Sequence, residues 1–150
     1  MKKIFIYYSL TGNGDEVAKY MTTFGYETYK IETKHKFPKK FFFRMMQGGF
    51  EAGINKKKRI KEFTIDPSKY DLIVVGSPVW NDRVSSPINT VINKLKDYKG
   101  KIKFIFYAGG RSAKHATIKV SKSFLDARSI VIQEPKKHPD EYLKLDEFVR

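Results

Sequence analysis

DLIVVG, residues 71–76, is a continuous apolar run that ends in glycine. A run of this kind is typical of a central parallel strand, which is buried on both faces of its sheet. Working outward from it, four further apolar segments predict strands. They are Lys3–Tyr8, Tyr26–Ile31, Ile102–Tyr107 and Ser129–Gln133.

The segments between these strands carry signals of helices. Apolar residues between positions 17 and 24 recur at helical spacing. Ser85-Ser86-Pro87 predicts a helix start, with a hydroxyl cap followed by proline in the first turn. Ser112 is a candidate cap for a later helix. Strands therefore alternate with helices along most of the chain.

This alternation predicts the fold class. Strands that alternate with helices imply a parallel sheet with right-handed crossovers. We expect one α/β domain over residues 1–150, a three-layer α/β/α sandwich around five parallel strands. The exception is a basic, irregular insertion at about residues 33–70, which is too long for a plain loop. Within it, Lys39–Gly48 is a candidate short helix.

The composition excludes several kinds of chemistry. The chain has no cysteine, so thiolate nucleophiles, iron–sulfur clusters and Cys-ligated zinc are excluded. Its three histidines are not spaced as metal ligands, and no metal site is predicted. No lysine follows Gly14, which excludes a Walker A loop, and the third glycine of a Rossmann fingerprint is absent. Redox chemistry must then come from a bound organic cofactor.

The charge of the chain is high and uneven. The formal net charge is +14, and residues 34–62 hold ten Lys or Arg against Glu51 and Glu62. Such a surface can steer acidic partners at low salt. The charge is equally well explained as a solvated lysine-rich face without a partner. The segment also interleaves phenylalanines with its cations, as in a module that binds nucleic acid or an anionic membrane. We prefer inward packing of these phenylalanines, because the consecutive ones, 41–43, form no clean helical stripe.

Three unusual loops follow predicted strands, at the edge where open α/β sheets bind their ligands. The first, residues 9–14 (SLTGNG), offers hydroxyls and glycines at a helix start, a combination that can hold a phosphate. The second, residues 76–83, contains the only tryptophan, Trp80, which either stacks on a flat ring or folds back over the sheet. The third, residues 107–112, has paired glycines that allow a ligand close to the backbone. Each loop also has a plain structural interpretation as a turn or a helix start.

Taken together, the three loops resemble the FMN-binding loops of the flavodoxin family. The motifs YYSLTGNGDEVA, YDLIVVGSPVWNDRVSSPI and FYAGG occur in that family's order and at its intervals. The similarity covers nearly the whole chain, and FFFRMMQGGFEAG resembles the insertion of short bacterial and archaeal members. The resemblance implies a flavodoxin-like sheet in the strand order 2-1-3-4-5, with flavin mononucleotide (FMN) as the cofactor.

The resemblance also implies which residues bind the cofactor. The first loop should hold the FMN phosphate, Trp80 should stack on the isoalloxazine with the backbone of its neighbours at the N5 edge, and the third loop should pack against the pyrimidine side. The set is Ser9, Leu10, Thr11, Gly12, Asn13, Gly14, Pro78, Val79, Trp80, Asn81, Asp82, Ala108, Gly109, Gly110 and Arg111. The family usually has a hydroxyl residue in place of Gly14, so one phosphate hydrogen bond is lost. We expect FMN affinity to fall roughly tenfold for that reason.

These observations predict an FMN-binding electron carrier that moves single electrons and has no catalytic side chain of its own. Two alternatives stay open: a flavin-dependent NAD(P)H or quinone reductase, and a basic binding module without a cofactor. The expected partners are redox proteins, acidic ones in view of the charge, and we expect no nucleic acid and no stable membrane insertion. We also expect a monomer or weak dimer, and a cytoplasmic protein because the short apolar start leads into a glycine loop and not into a cleavage site.

Overall fold

The elements of the fold follow the apolar runs of the sequence. The computed structural model describes residues 1–54 and 56–150, without the side chains of Phe41, Phe42 and Arg44, so the predicted packing of those two phenylalanines lies outside the described residues. The strands are β1 Lys3–Tyr7, β2 Glu27–Lys30, β3 Leu72–Trp80, β4 Arg83–Val84, β5 Lys101–Ala108 and β6 Arg128–Gln133. The helices are α1 Asn13–Thr22, α2 Phe41–Gly53, α3 Ser86–Lys94, α4 Lys114–Ser123 and α5 Tyr142–Val149.

The five long strands form one parallel sheet in the order β2-β1-β3-β5-β6. This confirms the predicted order, because β5 and β6 are the fourth and fifth strands of the prediction. The sequence pattern does not predict the short β4, which pairs antiparallel with the end of β3 and brings Arg83 beside Trp80. Ile73, Val74 and Val75 of β3 are completely buried between β1 and β5. The apolar run is therefore central, as predicted.

Helices cover both faces of the sheet, which confirms the three-layer sandwich. Alternate strand residues serve two core clusters, since successive side chains of a strand point to opposite faces. Val74 packs with Val17 of α1 and with α5, whereas Ile73 packs with Ile88 of α3 and with Val120 of α4. In the described part of the chain, no helix combines the length and apolar character needed to cross a membrane.

The segment 33–70 contains a helix at the place where the sequence offered a candidate one. Helix α2, Phe41–Gly53, begins later and runs further than the candidate helix Lys39–Gly48. Its inner face is buried, and Phe37 packs inward as predicted. Phe43 and Phe50, however, are more than half exposed, so inward packing is wrong for these two side chains. Among the described side chains of α2, the buried positions are Gly48, Glu51 and Ala52, which are small or polar and not aromatic.

Candidate functional site

The loops that follow β1, β3 and β5 lie side by side at one edge of the sheet. These three strands are parallel neighbours, so their carboxyl ends meet at the same edge. The structure thus brings the three predicted groups of site residues together. Pro78, Val79 and Trp80 lie within the end of β3, and Ala108 is the last residue of β5, so part of the site is strand rather than loop.

The first loop turns sharply into helix α1. Gly12, the residue before the helix, has φ 97°, in the left-handed region that favours glycine. The Ser9 hydroxyl oxygen accepts hydrogen bonds from the amides of Gly14 at 3.1 Å and Asp15 at 3.4 Å. These amides are among the first four of a helix, which have no partner inside it. Thr11 is exposed beside this positive end of α1, where an anion is favoured.

Tyr107 explains why residue 14 is a glycine. A Cβ on Gly14 would lie 2.6 Å from the Tyr107 hydroxyl oxygen and 2.9 Å from Cβ of Ser9. Tyr107 is buried at the end of β5 and donates a hydrogen bond to the carbonyl of Tyr8. Burial raises the pKa of Tyr107 well above its ordinary value, so the hydroxyl keeps its proton at neutral pH. The departure from the flavodoxin pattern is therefore coupled to a tyrosine that the sequence analysis missed.

A fourth loop, after β6, brings a cation to the first loop. The Lys136 amide donates to Oδ1 of Asn13 at 3.1 Å, and its Nζ lies 3.3 Å from the position of a Cβ on Gly12. Asn13, which was predicted to bind phosphate, uses its side chain to position this loop. The sequence analysis missed Lys136, which lies 123 residues beyond Asn13. No local signal distinguishes it among the 30 Lys and Arg residues of the chain.

The second loop is a two-residue hairpin turn between β3 and β4. Asn81 has φ 50° and Asp82 has φ 59°, and positive φ at both residues is the requirement of a tight hairpin turn. Asn and Asp are among the residues other than glycine that adopt positive φ most readily. Arg83 donates from Nη1 to the Asn81 carbonyl oxygen at 3.3 Å, which holds that carbonyl in place.

Asp82 caps helix α4 from the second loop. Its carboxylate accepts from the amides of Lys114 at 2.9 Å and His115 at 3.3 Å, and Oδ2 lies 2.6 Å from Nδ1 of His115. The hydrogen bonds from His115 and Lys114 lower the pKa of the Asp82 carboxyl. Ser112, the cap predicted from the sequence, lies outside the helix, whose cap position is Ala113. The side chain of Asp82 therefore joins the second loop to the start of α4, the helix that follows the third loop.

The predicted helix start at Ser85-Ser86-Pro87 is confirmed, since α3 begins at Ser86 with proline in its first turn, but the Ser85 hydroxyl is engaged elsewhere. Ser85 occupies the cap position of α3 but makes no capping hydrogen bond there. Its hydroxyl lies 2.9 Å from that of Ser77, and its amide donates to the Ser77 hydroxyl at 3.1 Å. Both serines are buried, and their contact ties β3 to the start of α3 behind the second loop.

Trp80 lies under helix α2 and is 7% exposed. Its ring meets the edges of Tyr8 and Phe37, with centroids 5.9 Å and 5.0 Å away. A Cβ on Gly48 would lie 3.2 Å from Cδ2 of Trp80, so glycine at this position lets α2 pack directly on the indole. The indole thus covers the end of the sheet, which is the second of the two arrangements expected from the sequence. Its stacking on a flavin stays a prediction.

The third loop leaves its backbone accessible. A Cβ on Gly109 or Gly110 would meet nothing within 4 Å, and both residues are exposed. The Gly109 carbonyl accepts from Nε2 of Gln133 at 3.3 Å, and Arg111 donates from Nε to Oε1 of the same side chain at 3.4 Å. Because packing in the structure does not require glycine here, the open backbone is suited to close approach by a ligand.

The site therefore offers phosphate donors at the first loop and an open backbone at the third. The start of α1, the Thr11 hydroxyl and the Lys136 ammonium supply the donors that a phosphate needs. The open glycines of the third loop border the same edge of the sheet. Among the described residues, no three His, Asp or Glu side chains gather closely enough to hold a metal ion.

Comparisons with known proteins agree with this geometry. The model of a family described as NADPH-dependent FMN reductase matches residues 1–137. A comparison with curated proteins gave no match. The family match confirms FMN as the cofactor. It also corrects the resemblance drawn from the motifs, since the matching family is one of reductases and not the flavodoxins, whose likeness to the chain holds for the fold.

Solved structures share the fold over nearly the whole chain. A flavoprotein from Lactobacillus acidophilus NCFM, in complex with FMN, is 23% identical with a TM-score of 0.74, covering 94% of this chain and 98% of that one. A protein described as a flavoprotein from Bacteroides eggerthii is 21% identical with a TM-score of 0.74, covering 97% and 96%. Another from Bacteroides uniformis is 20% identical with a TM-score of 0.76, covering 88% and 90%. These likenesses confirm the flavodoxin-like fold.

Proposed function

The chain belongs to the NADPH-dependent FMN reductase family, and from this premise we propose that it is a flavin-dependent reductase. The reaction moves a hydride from a reduced nicotinamide to the flavin, and the electrons then pass to a second acceptor. The observation that carries the proposal is the extent of the family match, because residues 1–137 include all three loops and Lys136. The sequence alone left a flavin-dependent reductase open as an alternative, and it is now the function that we prefer.

The residues of the anion-binding loop have distinct parts in this proposal. The backbone of Leu10 to Asn13 and the Thr11 hydroxyl hold the phosphate at the positive end of α1. Ser9 positions that backbone, since its hydroxyl already holds two amides of the helix. Lys136 adds a positive charge across Gly12, and Asn13 fixes the loop that carries it. Phosphate binding therefore draws on both ends of the chain.

The second and third loops hold the ring in the same proposal. When bound, FMN supplies the redox chemistry, so the protein need only orient it and exclude water. The open backbone at Gly109 and Gly110 and the hairpin at Asn81 would hold the ring from the third and second loops. Trp80 forms the apolar wall beneath α2. No side chain of the site is assigned an acid or base role.

The test is reduction of the protein–FMN complex by nicotinamides without oxygen. FMN is titrated until its fluorescence change saturates, and NADPH or NADH is then mixed in while the flavin absorbance is followed. We expect bleaching by at least one nicotinamide, followed by recovery of absorbance when a quinone or free FMN is added. Free FMN with the same nicotinamide, without protein, is the control for the uncatalysed reaction.

Two results would overturn the proposal. If FMN binds but neither nicotinamide reduces it faster than in the control, while the chemically reduced complex reduces one-electron acceptors, the protein is an electron carrier. If FMN does not bind at all, the fold carries no cofactor in this chain, and the basic segment becomes the place to look for a function.

A further inference from the structure

Helix α2 presents apolar side chains to solvent. Met46, Phe50 and Ile54 are 58%, 68% and 58% exposed, and their spacing of four residues places them on one face of the helix. Phe43, also more than half exposed, continues that face by one turn. A surface helix of a globular protein normally turns such a stripe toward the core. We call these four residues the α2 apolar face.

The contacts of the opposite face fix this orientation. Glu51 is 2% exposed, accepts from the Ser86 hydroxyl at 2.5 Å, and lies 3.1 Å from Nζ of Lys58, which is 6% exposed. Gly48, on the same side, packs on Trp80. Rotating the helix to bury its apolar face would carry Glu51 away from Lys58 and leave a buried charge without its partner. That change is strongly unfavourable, so the apolar face stays outward.

The segments that precede and follow α2 in the chain are cationic. Their exposed lysines and one arginine are Lys34, Lys36, Lys39, Lys40, Lys56, Lys57 and Arg59. Glu51 is the only carboxylate between residues 34 and 61, and it is buried. The partner that suits this surface is therefore both anionic and apolar. A second copy of the chain, with a formal net charge of +14, would be repelled.

We propose that the α2 apolar face and its flanking lysines form a docking surface for an anionic lipid bilayer. Lipid phosphates pair with the lysines, while Met46, Phe50 and Ile54 enter the boundary between headgroups and acyl chains. A nucleic acid offers the charge but no apolar phase for methionine and isoleucine side chains, so lipid fits the surface better. Docking of this kind is reversible and lies in the membrane plane, which agrees with the absence of a spanning helix among the described residues.

The proposal is tested by cosedimentation of the full chain with vesicles of phosphatidylcholine, made with or without phosphatidylglycerol. We expect binding to the anionic vesicles that weakens with added salt, and little binding to the neutral ones. Phe50→Gln should lower the affinity on the order of tenfold. Its matched control is Leu143→Gln, which removes an equally exposed leucine from α5 and should bind like the unchanged chain.

The contribution of the lysines to vesicle binding is tested by a second test variant with its own control. Replacing Lys39 and Lys40 with Gln should lower binding on the order of tenfold, whereas the same replacement of Lys96 and Lys99, with the same loss of net charge, should have little effect. Unfolding in urea confirms that each variant is folded. Equal binding to neutral vesicles, or indistinguishable losses in test and control variants, would overturn the proposal. Binding to duplex DNA or polyglutamate without binding to vesicles would overturn it as well.

Discussion

The first loop and the α2 segment both border the candidate site, but they are fixed in opposite ways. The loop takes its shape from neighbours in sequence, since Ser9 binds the amide of Gly14 five residues away. Helix α2 is held from a distance, because Glu51 meets Ser86 across 35 residues and Gly48 meets Trp80. Local backbone chemistry can be inferred from a short motif. A helix held by Ser86 and Trp80 depends on residues that no motif connects.

The largest expected effect concerns helix α2. Glu51→Gln removes the negative charge from a buried pair and leaves Lys58 without its partner. We expect the free energy of unfolding to fall by about 3–5 kcal/mol, measured by urea denaturation. Lys56→Met removes a half-exposed partner of the same carboxylate and should cost less than about 1 kcal/mol. Equal effects of the two variants would mean that the buried pair does not hold α2.

The same variant gives a pH test whose sign is fixed. Burial raises the pKa of Glu51, but hydrogen bonds from Ser86, Gln47 and Lys58 outweigh it and leave the pKa below its ordinary 4.5. A carboxyl whose pKa is lowered by folding stabilises the protein above its unfolded pKa, and this contribution is lost as the pH falls through the folded value. The stability difference between the unchanged chain and Glu51→Gln should therefore shrink as the pH is lowered below 4.5.

The next effect tests how far the first loop is truly local. Gly14→Ser restores the hydroxyl expected from the flavodoxin pattern, but its Cβ would lie 2.6 Å from the Tyr107 hydroxyl. We expect a loss of about 1–3 kcal/mol in unfolding free energy and no gain in FMN affinity. Gly109→Ser, where a side chain meets open space, should change stability by less than about 0.5 kcal/mol. A gain in FMN affinity for Gly14→Ser would mean that the loop depends on its own residues and not on Tyr107.

The same distinction explains what the sequence could predict. DLIVVG marks β3 as central because only a strand buried on both faces is apolar throughout. The three motifs locate the site because β1, β3 and β5 end at one edge of the sheet. Tyr107, Lys136 and the Glu51–Ser86 contact could not be inferred, because each joins residues that are far apart in the chain. The outward face of α2 was missed because the sequence does not show that a glutamate takes the inner position.

A smaller effect separates a local cap from a distant one. The sequence favours Ser112 as the cap of α4, whereas the structure gives that role to Asp82. Asp82→Asn keeps the turn conformation and replaces charge-assisted hydrogen bonds with neutral ones, so we expect a loss of about 1 kcal/mol. Ser112→Ala should leave stability within about 0.5 kcal/mol. A larger loss for Ser112→Ala than for Asp82→Asn, in urea denaturation, would return the cap to the local residue.

The smallest effect concerns Lys136, which reaches the first loop from the loop after β6. Its ammonium is exposed, so its attraction for a phosphate is screened by water and salt. We expect Lys136→Gln to weaken FMN binding roughly threefold to tenfold at low salt in a fluorescence titration, and less as salt is added. Lys137→Gln is the matched control, because that lysine pairs with Glu134 at 3.2 Å and should leave FMN affinity unchanged. If the two variants bind FMN equally well, the loop holds the phosphate by its own backbone, and the contrast with α2 becomes complete.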